Sequence, residues 1–462
     1  MRGCCLFIVM LGLIVGILLI LFANIFGLSF NWNDWLIYLA VAVVAYLVIL
    51  IIGNSLNKQF SGLIDNFIIG QKEKLIDRGP FSVFGFLLFV LLPYLVYLML
   101  FSFYSAVTLG VYGFWLMSGA SRIPVVIPIA LIVIVFGTGI AVLVGFFYLL
   151  FPPKKKPFGI ELKKSDEPKL WSLVCEVAKS AGSTAVDRIY ASPFPGIGVY
   201  TNGSVIGSVF GTGQKVLEVG LPSIYNMKIG EFKAILAHEY GHFSNKDTRW
   251  GSFTYTMENS LISTLRAMPG PSENAQDGTL SALLSYNPAY WILYFFVKLF
   301  SKVTNGFSRI REVLADKRSC ELFGGNNFSN GLSRVALNDK VFFEIVESKY
   351  VPELLKENQV FTSFGKAMEI AYGKDNKKVI EELKNDILNF QGDENYSTHP
   401  KLKVRIEYSK RFGDKTEKKD KEPTGKLFED WQARSQEITN IYNYIIMLRA
   451  GLINPDGSVK EK

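Results

Sequence analysis

The chain is 462 residues long, 49% hydrophobic, with a mean hydropathy of +0.24. That is too apolar for a wholly soluble protein and points first to a membrane. The formal charge of +8 comes from Lys and Arg scattered among Asp and Glu, with no basic helix or aromatic-basic ladder, so nucleic acid is excluded as a partner. Cys4, Cys5, Cys175 and Cys320 form no CxxC pair, which argues against a disulfide framework or a zinc ribbon.

Residues 5–33, 35–57, 81–121 and 123–153 carry no charged side chain. A membrane span needs roughly 20 apolar residues, so four transmembrane helices are expected within residues 1–153. The first run is longer than a signal-peptide core and reads as an uncleaved anchor. The run 81–121 is long for one span and contains Pro93, leaving room for a fifth span or a re-entrant piece. Lys58, Lys72, Lys74 and Arg78 follow the second run, only Arg122 follows the third, and Lys154, Lys155 and Lys156 close the fourth. By the positive-inside rule the second and fourth connections, and with them the C-terminal half, face the cytoplasm. The spans lack ionisable groups, which removes most support for transport.

All but six of the 49 basic and all but four of the 41 acidic residues lie from Lys154 onward. This half reads as a soluble domain over 154–408, followed by a charged linker and C-terminal helix over 409–462. A helix is expected from Asp166 to Ala181, capped by Asp166, with Pro168 in its first turn and an apolar face of Leu170, Leu173, Val174 and Val177. Strands follow at Arg188–Ala191, Gly198–Tyr200 and Lys215–Val219, separated by glycine-rich turns, as a small sheet. A helix over Ile229–Ser244 comes next. The apolar stretch Pro288–Val303 contains Lys298 and is either a helix lying at the membrane surface or an amphipathic core helix. Further helices are expected around Arg309–Leu322, Leu332–Lys349 and Lys378–Asn389. Lys410–Lys426 reads as a solvated linker, and a final helix over Leu427–Leu448 packs back through Phe428, Trp431, Ile438, Ile441 and Ile445.

The chemistry-bearing motif is His238-Glu239-Tyr240-Gly241-His242, an HExxH pattern inside the Ile229–Ser244 helix. Residues four apart on a helix share a face, so both imidazoles can point at one metal ion. Glu239 is rotated about 100° from His238 and flanks that position, where a general base belongs. With three histidines in the chain, a chance HExxH is expected on the order of once in a thousand such sequences. Catalytic zinc takes three protein ligands, and His399 and Glu312 are both candidates for the third. Glu312 and Asp316 lie four apart, so one can ligate while the other accepts the free ring N–H of a ligating histidine; on spacing alone the pair is equally an ordinary solvated helix face.

Three ordered motifs, His238-Glu239-Tyr240-Gly241-His242, then Ser308-Arg309 with Glu312, Ala315 and Asp316, then Thr398-His399-Pro400 with Arg405-Ile406, resemble the membrane zinc metallopeptidase family that includes HtpX and the CAAX prenyl proteases. The resemblance covers roughly Asp166–Glu407. It implies a mainly helical α+β fold: a zincin-like metallopeptidase domain with a small sheet after the four-helix transmembrane region. It further implies one Zn2+ per chain held by His238, His242 and Glu312, Asp316 as partner to a ligating histidine, Glu239 as catalytic base, His399 as donor near the scissile carbonyl, and Arg405 in support. A peptide or protein substrate would bind extended beside an edge strand, Gly196–Tyr200 or Lys215–Gly220. Two other functions remain: a non-catalytic membrane scaffold or holdase that keeps zinc for stability, and a zinc hydrolase of small amides. Oligomeric state is not legible.

Overall fold

The computed structural model describes residues 32–70, 78–118, 157–202, 214–244, 288–357, 359–389 and 399–454, with isolated positions at 124 and between 254 and 265. The runs 5–33 and 123–153, expected as the first and fourth spans, lie almost wholly outside the described residues. Contacts divide the chain into two units: one of residues 1–153, 204–209 and 253–308, the other of residues 154–203, 210–252 and 309–462. Residues 253–308, read from composition as part of the soluble half, thus group with the N-terminal region.

In the first unit, α1 (Trp32–Ile69) and α2 (Arg78–Ser118) include two helices long and apolar enough to cross a membrane, over Trp35–Ile69 and Pro80–Ser105. The long apolar run is a single helix through Pro93, with no re-entrant break. The two helices run antiparallel. Trp35 Nε1 donates to Ser105 Oγ at 2.9 Å, Tyr97 Oη to the Tyr38 carbonyl at 2.6 Å and Tyr94 Oη to the Ala42 carbonyl at 2.8 Å. Each bond satisfies a polar group where water is scarce. Leu36, Ile37, Val44, Leu47 and Ile51 of α1 remain exposed, as a lipid-facing surface would.

Helix α5 (Pro288–Phe323) takes in both the Pro288–Val303 stretch and the separately expected Arg309–Leu322 helix. Its first part buries Leu293, Phe296, Phe300, Val303 and Phe307 and leaves Trp291 and Phe295 exposed. Asn57 of α1 explains how the helix passes Gly306 unbroken. Its side-chain amide donates to the Lys302 carbonyl and accepts the Gly306 N–H, the two groups an α-helix pairs with each other.

The second unit is built on a four-stranded sheet of order β1-β2-β4-β3, with β1 at Ile160–Glu161, β2 at Arg188–Ser192, β3 at Ile197–Asn202 and β4 at Gln214–Gly220. β2 and β4 are parallel, pairing Ile189 with Leu217, while β3 lies antiparallel to β4 with Val199 opposite Leu217. The inward residues Ile189, Ala191, Val199, Leu217 and Val219 pack on α3 (Pro168–Ala181) and α4 (Ile229–Ser244) in one apolar core. The apolar face expected for α3 is buried as read. Its expected cap is not: the N-cap is Glu167, which makes no capping bond and instead accepts from Arg434 Nε at 2.8 Å and the Glu429 N–H at 2.7 Å.

The remaining helices are α6 (Gly325–Val341), α7 (Val351–Lys356), α8 (Phe364–Ala371), α9 (Lys377–Asn389), α10 (Leu402–Ser409) and α11 (Trp431–Arg449). Wider π turns over Phe342–Tyr350 join α6 to α7. Pro352 follows them and lacks the N–H that an α-helix would offer to Ser348. A second apolar core gathers Phe342, Phe361, Phe364 and Met368 around Tyr442 of α11.

The charge-dense segment Lys410–Lys426 keeps most of its residues exposed, as expected, but it is docked and not a free linker. Its backbone pairs with the start of α4, the Ile229 N–H donating to the Glu422 carbonyl at 2.8 Å and the Thr424 N–H to the Met227 carbonyl at 2.9 Å. Asp420 is buried 3.0 Å from Lys233 Nζ and accepts the Glu417 N–H at 3.0 Å. Charge density predicts solvation only when the charges lack partners, and Lys233 on α4 is a partner that sequence distance conceals. Replacing Asp420 by Ala strands Lys233 and should cost about 3 kcal/mol of stability, visible as a lowered melting temperature of the second unit.

Candidate metal centre

Helix α4 begins with a buried carboxylate. Glu231 accepts the Lys228 N–H at 3.1 Å, as a first-turn acid should, and is clamped from α6 by Arg334 Nε at 2.7 Å and Nη2 at 3.2 Å. Phe232, Leu236 and Tyr240 then face the sheet core, which turns His238 and His242 toward α5. Their rings lie 4.8 Å apart between centroids and nearly perpendicular, at 84°.

Helix α5 comes close enough to complete the cluster because both helices carry small residues where they touch. A Cβ on Gly241 would lie 3.0 Å from Ala315 Cα and 3.2 Å from its Cβ. Ser319 Oγ adds a buried bond to the Ala234 carbonyl at 2.6 Å. Across this contact Glu312 Oε2 stands 3.4 Å from His238 Nε2, and Glu312 Oε1 stands 3.3 Å from His242 Nε2. Donor atoms of the three residues all lie within 4.8 Å of one another.

The donor set fits a tetrahedral metal. Ligand atoms at about 2.0 Å from such an ion are separated by roughly 3.3 Å, which is the spacing found between each imidazole and Glu312. His242 Nδ1 is buried without a hydrogen-bond partner, and Glu312 Oε2 is buried among nitrogens of His399, His238 and Arg405. A buried carboxylate surrounded by imidazoles is a favourable place for a cation.

The surrounding charges are arranged behind these donors. His238 Nδ1 lies 2.9 Å from Asp316 Oδ1, and Arg405 grips Asp316 with two bonds, Nε to Oδ2 at 2.8 Å and Nη2 to Oδ1 at 2.6 Å. Arg405 Nη2 also stands 3.4 Å from Glu312 Oε2 and its guanidinium lies over Phe328, 5.9 Å from the ring centre. His399 is the exposed member, with Nδ1 2.9 Å from Glu312 Oε2.

Burial raises the pKa of Glu312, but His242, His399 and His238 outweigh it and hold the carboxyl well below its usual range. Asp316 is likewise lowered: burial opposes its charge, and Arg405 and His238 outweigh burial. Burial holds His242 down at about 3, hence neutral and able to donate a lone pair. His238 goes the other way, because Asp316 and Glu312 overcome its burial and raise it to about 10. Glu239 is raised, chiefly by burial, with Glu312 adding to the rise and His238 opposing it.

Glu239 Oε2 points at the sheet, accepting the Val199 N–H of β3 at 3.4 Å. This N–H belongs to the side of β3 turned away from β4. Among the described residues β4 is enclosed between β2 and β3, whereas β3 pairs on one side only.

All seven residues singled out in the sequence, His238, Glu239, His242, Glu312, Asp316, His399 and Arg405, therefore come together at one place. Gly241, Ala315 and Val199 were missed. Gly241 had a readable signal, since a glycine inside a helix costs about 1 kcal/mol against alanine and asks for a packing reason. The part played by Val199 comes from its backbone, which no side-chain pattern announces.

Residues 174–411, half of the chain, match the model of Peptidase family M48. Among curated proteins, the chain is 27% identical over 198 residues to Protease HtpX of Shewanella frigidimarina, covering 39% of this chain and 64% of that protein. It is 26% identical over the same length to Protease HtpX of Shewanella oneidensis. To Protease HtpX of Pseudoalteromonas atlantica it is 27% identical over 154 residues, 31% of this chain and 51% of that protein. The chain thus spans less than two thirds of the length of these relatives. No solved structure matches it.

Replacing Gly241 by Val should force α4 and α5 apart at Ala315 and lower metal affinity by at least about tenfold. Elemental analysis of the purified variant after dialysis, beside wild type, measures it.

Proposed function

Because this chain belongs to peptidase family M48, we propose that it is a membrane-bound zinc metalloendopeptidase that cuts extended polypeptide segments. The observation that carries the reading is the convergence of His238, His242 and Glu312 on one point beside Glu239, a half-buried carboxylate that the cluster does not need for holding a metal. A scaffold that kept zinc only for stability would have a closed site with no use for that glutamate.

Zinc fits better than a hard cation because two of the three donors are imidazoles. When bound there, one ion per chain, it supplies Lewis-acid polarisation of the scissile carbonyl and acidifies a water. Glu239 takes the proton of the attacking water and passes it to the leaving amine. Its burial supports this role, because a carboxylate with a raised proton affinity is a better base near neutral pH. The His399 ring, exposed at the rim, donates to the oxyanion as charge develops, an effect commonly worth about 3 kcal/mol. Asp316 fixes the tautomer of His238 and raises its basicity, and Arg405 holds Asp316 ionised in a buried place. Arg405 acts through Asp316, without touching the reacting atoms.

For substrate we assign β3. A peptide laid along its unpaired side would be held backbone to backbone next to Glu239. Of the two strands considered from sequence, β4 has both sides occupied by β2 and β3, which leaves β3. The two apolar helices, with the runs 5–33 and 123–153, support a multi-pass membrane protein whose catalytic half lies on the cytoplasmic side, by the lysines that close each second span. A role in membrane protein quality control suits that placement.

The test is cleavage of an unfolded reporter protein by the purified full chain. Wild type should cut it and a zinc chelator should abolish cutting. Glu239→Gln should lower turnover about a thousandfold while keeping about one zinc per chain. Metal-replete wild type that cuts neither the reporter nor a panel of peptides would move the function to the scaffold. A separate arm tests the support behind the ligands: Arg405→Ala should weaken zinc affinity by about tenfold to a hundredfold, read by competition with a fluorescent chelator.

A further inference from the structure

Two polar residues near the start of β3 take no part in the chemistry above. Ser223, in the turn after β4, is fully buried. Its Oγ accepts the Gly196 N–H at 2.7 Å and donates its one hydrogen to Asp339 Oδ1 on α6 at 2.5 Å. Since a hydroxyl has a single hydrogen, giving it to Asp339 commits the oxygen's lone pairs to Gly196. The neighbouring Asn338 holds the same turn from below, its Nδ2 donating to the Ser223 carbonyl at 3.0 Å and the Tyr225 carbonyl at 2.9 Å.

Burial pushes the Asp339 carboxyl up to about 6, and the Ser223 hydroxyl opposes that rise. A carboxyl raised in this way loses stability as the pH climbs from its unfolded to its folded pKa, so at neutral pH its ionisation is a cost that the bond to Ser223 offsets in part. Its geometric effect falls on Gly196, which sits at a φ of 127° that side chains rarely adopt and immediately precedes Ile197, the first residue of β3. The Gly196 carbonyl is fixed as well, accepting the Gly220 N–H at 2.6 Å. Gly220 has no room for a side chain there, because a Cβ would lie 2.2 Å from the Phe194 carbonyl oxygen. Both backbone groups of Gly196 are thus held, and three residues further along the strand the Val199 N–H meets Glu239.

We infer that the Asp339, Ser223 and Gly196 chain is a positioning device that sets where β3 lies against Glu239, and through it the register of a peptide bound along the strand. The inference rests on β3 as the substrate strand. Asp339 and Ser223 are positioning residues and touch neither substrate nor metal.

The experiment uses the full chain in detergent as wild type, Ser223→Ala, Asp339→Ala and Asp339→Asn, the last keeping an acceptor oxygen for Ser223. Hydrogen exchange over residues 194–200 should speed up about tenfold in the two alanine variants and stay near wild type in Asp339→Asn. With a quenched fluorogenic decapeptide, the alanine variants should raise KM about tenfold with kcat within about twofold and zinc content unchanged. Wild-type exchange and KM in Ser223→Ala would overturn the inference, as would Asp339→Asn behaving like Asp339→Ala. If wild type cuts no peptide while the exchange pattern appears, the strand device stands and the peptidase reading falls. Cleavage by wild type with exchange unmoved in every variant has the opposite meaning.

Discussion

The site depends on one close approach between two helices. Gly241 of α4 lies against Ala315 of α5 with no space for a larger group, and everything that the donor cluster does follows from that distance. An HExxH helix by itself presents two imidazoles to whatever lies opposite. Here the opposite surface is a turn of α5 carrying Glu312 and Asp316 one above the other, brought near enough that Glu312 meets both rings. Packing of two small residues, a matter of fractions of an ångström, thereby decides whether three side chains from two distant stretches of sequence form a chelate.

That approach would be untenable without compensation of charge. Glu312 and Asp316 are buried carboxylates, and Glu239 is a third, half-buried one within the same region. Arg405 answers two of them, reaching both oxygens of Asp316 and one of Glu312. Its planar fork matches a carboxylate in a way that an ammonium group cannot. The three acids then divide by surroundings. Cationic and imidazole neighbours hold Glu312 and Asp316 ionised, whereas Glu239 is left with its burial dominant and a raised proton affinity. Pairs of carboxylates pushed in opposite directions are the usual way one site divides ligation from proton transfer.

The sheet supplies the other half of the geometry. β3 turns to Glu239 the side that, among the described residues, has no neighbouring strand, and Gly196 just before it is held from two directions, by Ser223 and by Gly220. A strand fixed at one end by buried polar contacts and bonded along one side to β4 has little freedom to slide, and a slip of one residue would invert its faces. The helical layer therefore meets the strand region at two places: α4 through Glu239, and α6 through Asp339 by way of Ser223.

Much of this was legible from the sequence. The HExxH spacing, the four-residue interval of Glu312 and Asp316, the helix Ile229–Ser244 and the apolar face of α3 follow from periodicities of 3.6 and 4, which the chain carries locally. The mixed sheet was readable as strands but not in its order, because pairing depends on which segments meet. Only the fold could show that, among the described residues, β4 is enclosed and β3 is not. Three expectations gave way to contacts with segments distant in sequence: α3 begins after Glu167, which Arg434 holds, without a capping Asp166; Lys410–Lys426 is docked on α4 through Asp420 and Lys233; and the helix from Pro288 runs on past Arg309, with Asn57 bonded beside Gly306. The sequence by itself determined which side chains have the chemistry and helical spacing proposed for holding a metal and moving a proton, since those are properties of side-chain type and local geometry. The tertiary structure decided which of them meet, how each is charged and which backbone edge faces Glu239, since these depend on distances between segments that no local pattern contains.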